Sequence, residues 1–530
     1  MKRVLTAMLL TALAGLHPSA ALASGTQQAI LEDDNQLLAD PAGTLATLRS
    51  LGVERVRVNV KWDTLAPRAG SRRSPAHFDG ADPRDYPASA WASYDAVARD
   101  AAAAGIGVMF TVTGPAPVWA TASGAPSNGP AGVWKPSAAD YGAFVRALGT
   151  RYSGHYTPPH QSAALPRVSF WSVWNEANYG IDLAPQAINN GTVEVGASSY
   201  RKLLDAAWAA LHATGHGHDT ILIGETAPRG VAVPGNFSGV KPLRFLRALY
   251  CVDSNYRQLR GAAARARGCP TTARASRSFR SRHPVLFEAG GFADHPYAQG
   301  VPPNTPTYAC GLRVCWNTRT HRSDPDYADL PEIPRLERTL DRLNRVYGSH
   351  TRFAIYSTEY GFWTKPPDRA ATISPSTAAY YMNWAEYLSW RQSRVASYDQ
   401  YLLVDPPSAH FASGLEFANG KPKATFDAYR LPLYLPRTSG RRGARLEIWG
   451  CVRPAHFAQA DTGLPQKAEI QFRTGSHGSF RVLDTVTITS REGYFDVRPK
   501  VPASGTVRVS WAYPSGRRIF SREVTVKMTR

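Results

Sequence analysis

The chain has 530 residues, 43% of them apolar. That is too long for a single ordinary core and too apolar for a disordered or fibrous chain, so a large domain with a smaller companion is expected. Its 61 Lys and Arg outweigh 41 Asp and Glu, a formal net charge of +20, which favours acidic partners such as an anionic or cell-wall polysaccharide; no helix-turn-helix, zinc-finger or aromatic RNA-binding pattern accompanies it, so nucleic acid is not an expected partner.

The chain opens with Met1-Lys2-Arg3, an apolar stretch over 4–16, and Ala21-Leu22-Ala23 before Ser24. A basic start, a short apolar run and a small-x-small site predict a secretory signal peptide over 1–23. The run is shorter than the about 20 residues that cross a bilayer. The expectation is a secreted, soluble monomer with no membrane anchor. Five cysteines in an exported chain invite disulfides. Cys310 and Cys315 are expected to pair, Cys251 and Cys269 are the next pair, and Cys451 is left over. No Cys/His spacing suggests zinc, and His212, His216 and His218 read as a polar helix end. Neither a metal nor an organic cofactor is expected.

Strand-like and helix-like stretches then alternate from about 28 to 438. A first strand falls at 28–32. A helix over 41–51 carries Leu45, Leu48 and Leu51 at helical spacing and stops at Gly52. Val56, Val58 and Val60 alternate with Arg57, Asn59 and Lys61 in a strand over 55–62. An Ala-rich helix at 88–104 precedes a buried strand at 106–112. Helix 137–152, strand 168–174, helix 199–211 and strand 220–224 follow. The middle holds a helix at 243–250, a long Arg-rich insertion, and a strand at 292–297. Helix 332–347, strand 353–358, helix 377–391, strand 396–403 and helix 423–429 complete the series. Close to eight strand–helix units of this length predict an α/β fold closed as a (β/α)8 TIM barrel over 24–438. No Gly-x-Gly-x-x-Gly or Walker pattern supports a nucleotide site. A linker is expected at 436–443. Beyond it, short alternating runs separated by turns predict a small C-terminal all-β sandwich over 439–530, Ig- or fibronectin-like.

Two motifs sit at strand ends, where barrel active sites are built: Trp171-Ser172-Val173-Trp174-Asn175-Glu176-Ala177-Asn178 and Ser357-Thr358-Glu359-Tyr360-Gly361-Phe362-Trp363. Two carboxylates facing each other across one cleft are what glycosidic cleavage needs: one protonates the leaving oxygen, the other attacks or activates water. The pair, in this order, resembles clan A of the glycoside hydrolases, families 5 and 39 above all. The resemblance spans roughly 28–438. It implies a retaining hydrolase of O-glycosidic bonds, with Glu176 on the fourth strand as acid/base and Glu359 on the seventh as nucleophile. It further implies that Asn175 binds the sugar 2-hydroxyl, that Arg57 steadies the nucleophile, and that Tyr297, in Asp294-His295-Pro296-Tyr297, hydrogen-bonds it. His295 is expected to line the same cleft. The two carboxyl groups should then lie about 5–5.5 Å apart, whereas a pair roughly 9 Å apart would point to inversion. Because neighbouring strand residues point to opposite faces, Asn175 and Glu176 share a site only if the strand ends or bulges there.

Sugar faces stack on aromatic rings, and Trp62, Trp119, Trp174 and Trp363 all follow predicted strand ends, with Trp119 and Trp363 taken as substrate contacts. Many clan members end the eighth strand with a tryptophan; this chain has Tyr398-Asp399-Gln400-Tyr401 there. Glu225 reads as a cleft wall or a support. The insertion over 253–283 and the Cys310–Cys315 loop are expected to shape the cleft. Two other readings remain: a transglycosylase with the same residues, and a non-catalytic carbohydrate-binding barrel.

Overall fold

The computed structural model describes residues 24–298, 300–306, 308–310, 313–315, 324–475 and 477–530. The leader read at 1–23 lies outside the described residues. Eight strands, β1 (Gln28–Glu32), β2 (Arg55–Lys61), β3 (Gly107–Thr113), β4 (Phe170–Val173), β5 (Thr220–Thr226), β6 (Gly291–Asp294), β7 (Ile355–Ser357) and β8 (Val395–Tyr401), close into a barrel in sequence order. All pairings are parallel, including β8 with β1.

Both faces of these strands are covered, which is why even β2, with its alternating charges, is buried at Val56, Arg57, Val58, Asn59 and Val60. Val56, Val58 and Val60 join the core beneath the helices. The opposite face points into the barrel. There, Met109, Phe170, Leu222 and Ala293 pack with Tyr356 into an apolar plug. Residues nearer the strand C-termini on this inner face are polar: Arg57, Thr111, Ser172 and Asp399 are all fully buried. The barrel therefore has an oily floor and an ionic upper layer.

Local signals set the helices that cover it. Asp40 accepts from the Gly43 N–H at 3.1 Å, Pro41 occupies the first turn, and Gly52 ends helix Pro41–Leu51 at φ +83°. Ser137 and Ser374 cap Ala138–Arg151 and Pro375–Trp390 in the same way. Among the described residues no helix is long and apolar enough to cross a membrane.

The Arg-rich insertion folds into short helices, Gly261–Ala266, Ala273–Arg277, Phe279–Arg282 and Val285–Glu288, with Cys251 bonded to Cys269. It does not shape the cleft as expected. It follows helix Pro242–Leu249, leads into β6 and packs along the outer helices, with Arg267 reaching Glu194 in the loop after β4, and none of its residues lines the cleft. Tyr308–Cys310 and Arg313–Cys315 form an antiparallel hairpin; the side chains of Cys310 and Cys315, and so their expected pairing, lie outside the described residues.

Downstream, Leu433–Tyr434, Ile448–Cys451 and Tyr494–Val497 make a three-stranded antiparallel sheet. Ser439–Arg441, Val524–Thr529, Gly505–Ala512, Lys467–Thr474 and Arg481–Thr487 line up in a second sheet, with Arg518–Phe520 beside Gly505–Ala512. The expected linker at 436–443 thus contains a strand, held by parallel pairing to Val524–Thr529. A helix, Ala455–Thr462, also appears among the strands. Trp449 and Trp511 are fully buried core residues. The sheets are fixed to the barrel by a buried ion pair: Arg453 donates to both oxygens of Glu386 at 2.8 Å, and Tyr494 donates to the same carboxylate at 2.8 Å.

Candidate active site

The site forms where β4 ends. Val173 is the last ladder residue, and the next steps leave the strand conformation: Trp174 has φ +67° and Glu176 φ +42°. This break lets Asn175 and Glu176 face one cleft. Trp174 is locked below it. Its ring packs edge-on to Tyr141 at 5.2 Å, its indole N–H donates to the Asp182 carbonyl at 3.2 Å, and it presses on Gly114, where a Cβ would stand 2.8 Å from the ring. The Asn175 N–H donates to Thr113 Oγ1 at 3.0 Å. β5 breaks in a comparable way. Gly224 at φ +111° and Glu225 at φ +45° make a bulge against β6 that swings the Glu225 carboxylate into the barrel.

Arg57 is the hub. Its Nη1 donates to Glu359 Oε1 at 2.9 Å and contacts Glu32; its Nη2 donates to Asn175 Oδ1 at 2.8 Å and Glu225 Oε2 at 2.6 Å. The Tyr297 hydroxyl donates to Glu359 Oε2 at 3.0 Å. Both oxygens of Glu359 are therefore engaged. His295 Nδ1 lies 3.1 Å from Glu176 Oε1 and 3.6 Å from Glu359 Oε2. Glu176, His295 and Glu359 each present an atom within 4.8 Å of the others. That spacing would also suit a cation, but the Arg57 guanidinium already supplies positive charge against Glu359.

Several protonation states follow from these contacts. Burial works against the charge on Arg57, but Glu225, Glu32 and Glu359 outweigh it and hold the guanidinium cationic. Burial pushes Glu32 well above the usual carboxylate range; Arg57 opposes this, and Glu359 and Asp34 add to it. Burial also disfavours the His295 cation, yet the Glu359 and Glu176 carboxylates raise its pKa overall. Asp182, buried and near the charge of Glu176, is raised to about 8.

A cleft of about 490 Å³ opens above this layer. Asn175, Glu176, Tyr297 and Glu359 line it, with Asp182, Trp363, Tyr401 and Phe411 around them and Lys61 and Arg229 also on its wall. Trp363 packs on Phe411 at 4.5 Å, and Tyr401 meets Phe411 edge-on at 5.4 Å.

The structure brings together Arg57, Asn175, Glu176, His295, Tyr297, Glu359 and Trp363. It does not bring Trp119. The short turn Val118–Ala120 directs that ring edge-on onto Trp62 and Phe78, and its N–H donates to the Pro67 carbonyl at 3.1 Å. Trp62 and Trp174 are fully buried and belong to the core. Glu225 is a support beneath Arg57. The sequence reading missed Glu32, Asp182 and Phe411. Glu32 carried a usable signal, a carboxylate at the C-terminal end of a buried strand; Phe411, on a loop with φ +55°, carried none.

No protein-family model matches the chain, and no curated protein sequence does. Solved structures with a similar fold include a family 39 glycoside hydrolase from the gut symbiont Bacteroides cellulosilyticus WH2, 11% identical over 90% of this chain and 80% of that one, with a TM-score of 0.43. A family 1 β-glucosidase from Thermotoga maritima is 14% identical over 74% and 84%, TM-score 0.45. An endo-β-1,4-mannanase from Thermotoga petrophila is 8% identical over 97% and 99%, TM-score 0.38. Likenesses at this level carry no argument about activity, which rests on the site itself.

Proposed function

We propose that the protein is a secreted retaining glycoside hydrolase, with residues 24–438 as its catalytic barrel and 439–530 as an attached β-module. The observation that carries this reading is the asymmetry of a close carboxylate pair. One oxygen of Glu176 and one of Glu359 lie within 4.8 Å of each other, the close spacing that double displacement uses, with about 5–5.5 Å between carboxyl groups. Only Glu359 is gripped by both Arg57 and Tyr297. Glu359 has the fixed, charge-stabilised setting of a nucleophile, and Glu176 that of the proton carrier.

In the first step a Glu359 oxygen bonds to the anomeric carbon while Glu176 gives its proton to the glycosidic oxygen, and the carbon–oxygen bond to the leaving group breaks. In the second, Glu176 takes a proton from water as the water oxygen attacks the same carbon, and the ester to Glu359 cleaves. Asn175 commits its Oδ1 to Arg57 at 2.8 Å and one amide N–H to Asp182 at 3.4 Å, which leaves its other amide N–H for the sugar 2-hydroxyl. Trp363, Phe411 and Tyr401 supply apolar faces for sugar rings.

The test is turnover of a panel of aryl β-glycosides and plant and bacterial polysaccharides by the parent and by Glu359→Ala. Added azide is expected to restore cleavage of an activated aryl β-glycoside by Glu359→Ala, giving the α-glycosyl azide. Equal turnover by parent and variant refutes the nucleophile assignment.

A further inference from the structure

The Arg-rich insertion, whose residues do not line the cleft, carries a second feature. Residues 253–283 contain eight arginines and one carboxylate, Asp253. That carboxylate is occupied, accepting from the backbone N–H groups of Asn255 and Arg257 at 2.9 and 2.8 Å. Among the described residues only Arg267 of the eight meets a carboxylate, Glu194 at 2.8 Å; the other seven side chains are exposed. Helix Ile333–Val346 extends the same surface. Arg342 donates to the Asn255 carbonyl at 3.0 Å, Arg280 to the Gly348 carbonyl at 2.9 Å, and Phe279 stacks on Tyr347 at 4.5 Å. The acidic groups of that helix are drawn elsewhere, Asp341 and Glu337 both lying against Arg394, at 3.0 and 3.9 Å.

A dense array of like charges repels itself and destabilises the fold that bears it. Here it is held in place by the Cys251–Cys269 bond and by backbone bonds from Leu259 to Cys251 and from Gly261 to Thr271. The array presents planar forks of donors, the geometry that fits carboxylate and sulfate groups two hydrogen bonds at a time.

We infer that this face is a docking surface for an anionic polysaccharide, carboxylated or sulfated, that holds the enzyme on its polymer while the separate cleft performs cleavage. The choice of a polysaccharide rests on the glycosidase reading. The surface itself argues against other polyanions. It offers no ring for base stacking, since Phe279 is buried and Tyr256 lies under Arg342 at 4.0 Å. The exposed large apolar side chains all lie elsewhere, so nothing on this face anchors in a bilayer.

Labelled heparin, polygalacturonate, neutral dextran, duplex DNA and phosphatidylglycerol vesicles are titrated against the protein and an Arg265→Glu/Arg274→Glu/Arg277→Glu variant at about 0.1 M NaCl. These three side chains make no ion pair among the described residues, and circular dichroism reports that the variant is folded. The parent is expected to bind heparin or polygalacturonate far more tightly than dextran, with an affinity that falls steeply with salt; reversing three charges should weaken it by about tenfold or more. Turnover of an aryl glycoside should stay unchanged, because none of the three side chains lines the cleft. Binding that the substitutions do not weaken, or binding no tighter than that of dextran, overturns the inference. So does tighter binding to DNA or to vesicles than to either polysaccharide. Charge-dependent polysaccharide binding by a protein that cleaves no glycoside would support the surface and refute the catalytic reading separately.

Discussion

Arg57→Lys tests the site at its hub. The guanidinium makes five contacts from three nitrogens: to Glu359 and Glu32 through Nη1, to Asn175 and Glu225 through Nη2, and to Glu225 again through Nε at 3.4 Å. A lysine keeps the charge but offers three donors from one point and cannot hold Glu359 and Asn175 in their present places together. At least two hydrogen bonds to charged or charge-linked groups are lost, each worth about 1.5–3 kcal/mol. If both act at the transition state, the loss is about 3–6 kcal/mol, or about 10²–10⁴-fold in kcat/KM. The fold should survive, because the three surrounding glutamates keep a buried cation; stranding them, as in Arg57→Met, costs about 3–5 kcal/mol per broken pair. The assay is kcat/KM on the best aryl glycoside, with thermal melting and near-ultraviolet circular dichroism on the same samples. A folded Arg57→Lys variant that keeps kcat/KM within about threefold of the parent would refute the idea that the fork positions the nucleophile.

Other expectations are narrower. Tyr297→Phe removes one 3.0 Å bond to Glu359 and should lower kcat/KM by about 10–100-fold with little change in melting temperature; an unchanged rate contradicts the role. Burial raises Glu54 and Asp294 to about 7, and burial with the nearby Glu176 charge raises Asp182 to about 8. These groups hold protons in the native state while unfolded carboxylates have already lost theirs, so stability should fall from pH 6.5 to 8, by roughly 3 kcal/mol from proton linkage. Chemical denaturation at several pH values checks this, and stability that climbs over the window would refute it. Replacing Cys251 and Cys269 by serine opens a loop with a separation of 18 and should cost about 3 kcal/mol of stability. Catalysis by that variant should be unaffected at temperatures where it is folded, since no residue of the loop lines the cleft; a selective loss of kcat would contradict that separation.

Much of this architecture could be read before any coordinates. Strand–helix alternation, with Glu176 and Glu359 at the ends of the fourth and seventh strands, needed only periodicity and order, and the eight-stranded barrel follows it. What failed depended on direction rather than order. Trp119 follows a strand end, but a single short turn decides which way its ring points. The linker assignment at 436–443 failed because three of those residues pair with a strand more than eighty positions later, a contact that no local composition reveals. The insertion at 253–283 was legible as an insertion, but none of its residues lines the cleft it was expected to shape. It packs along the outer helices instead, Arg267 pairing with Glu194.

The positions that no propensity predicts are also those on which the site depends. Trp174, Glu176 and Glu225 all take positive φ, a conformation that costs a non-glycine residue about 1–2 kcal/mol. Three such residues at one rim take a sizeable share of a net stability of about 5–15 kcal/mol. They persist because neighbouring groups over-determine them. The Tyr200 hydroxyl, from helix Gly196–Ala213, donates to the Val173 carbonyl at 2.9 Å and accepts from the Gly224 N–H at 2.8 Å, tying the ends of β4 and β5 together just before both breaks. Thr113 holds Asn175 from β3, and Arg57 holds Asn175 and Glu225 from β2. The strain follows from bringing carboxylates and an amide from separate strands to one point. A regular strand would turn Asn175 and Glu176 to opposite faces, and without the bulge the Glu225 carboxylate would not reach Arg57.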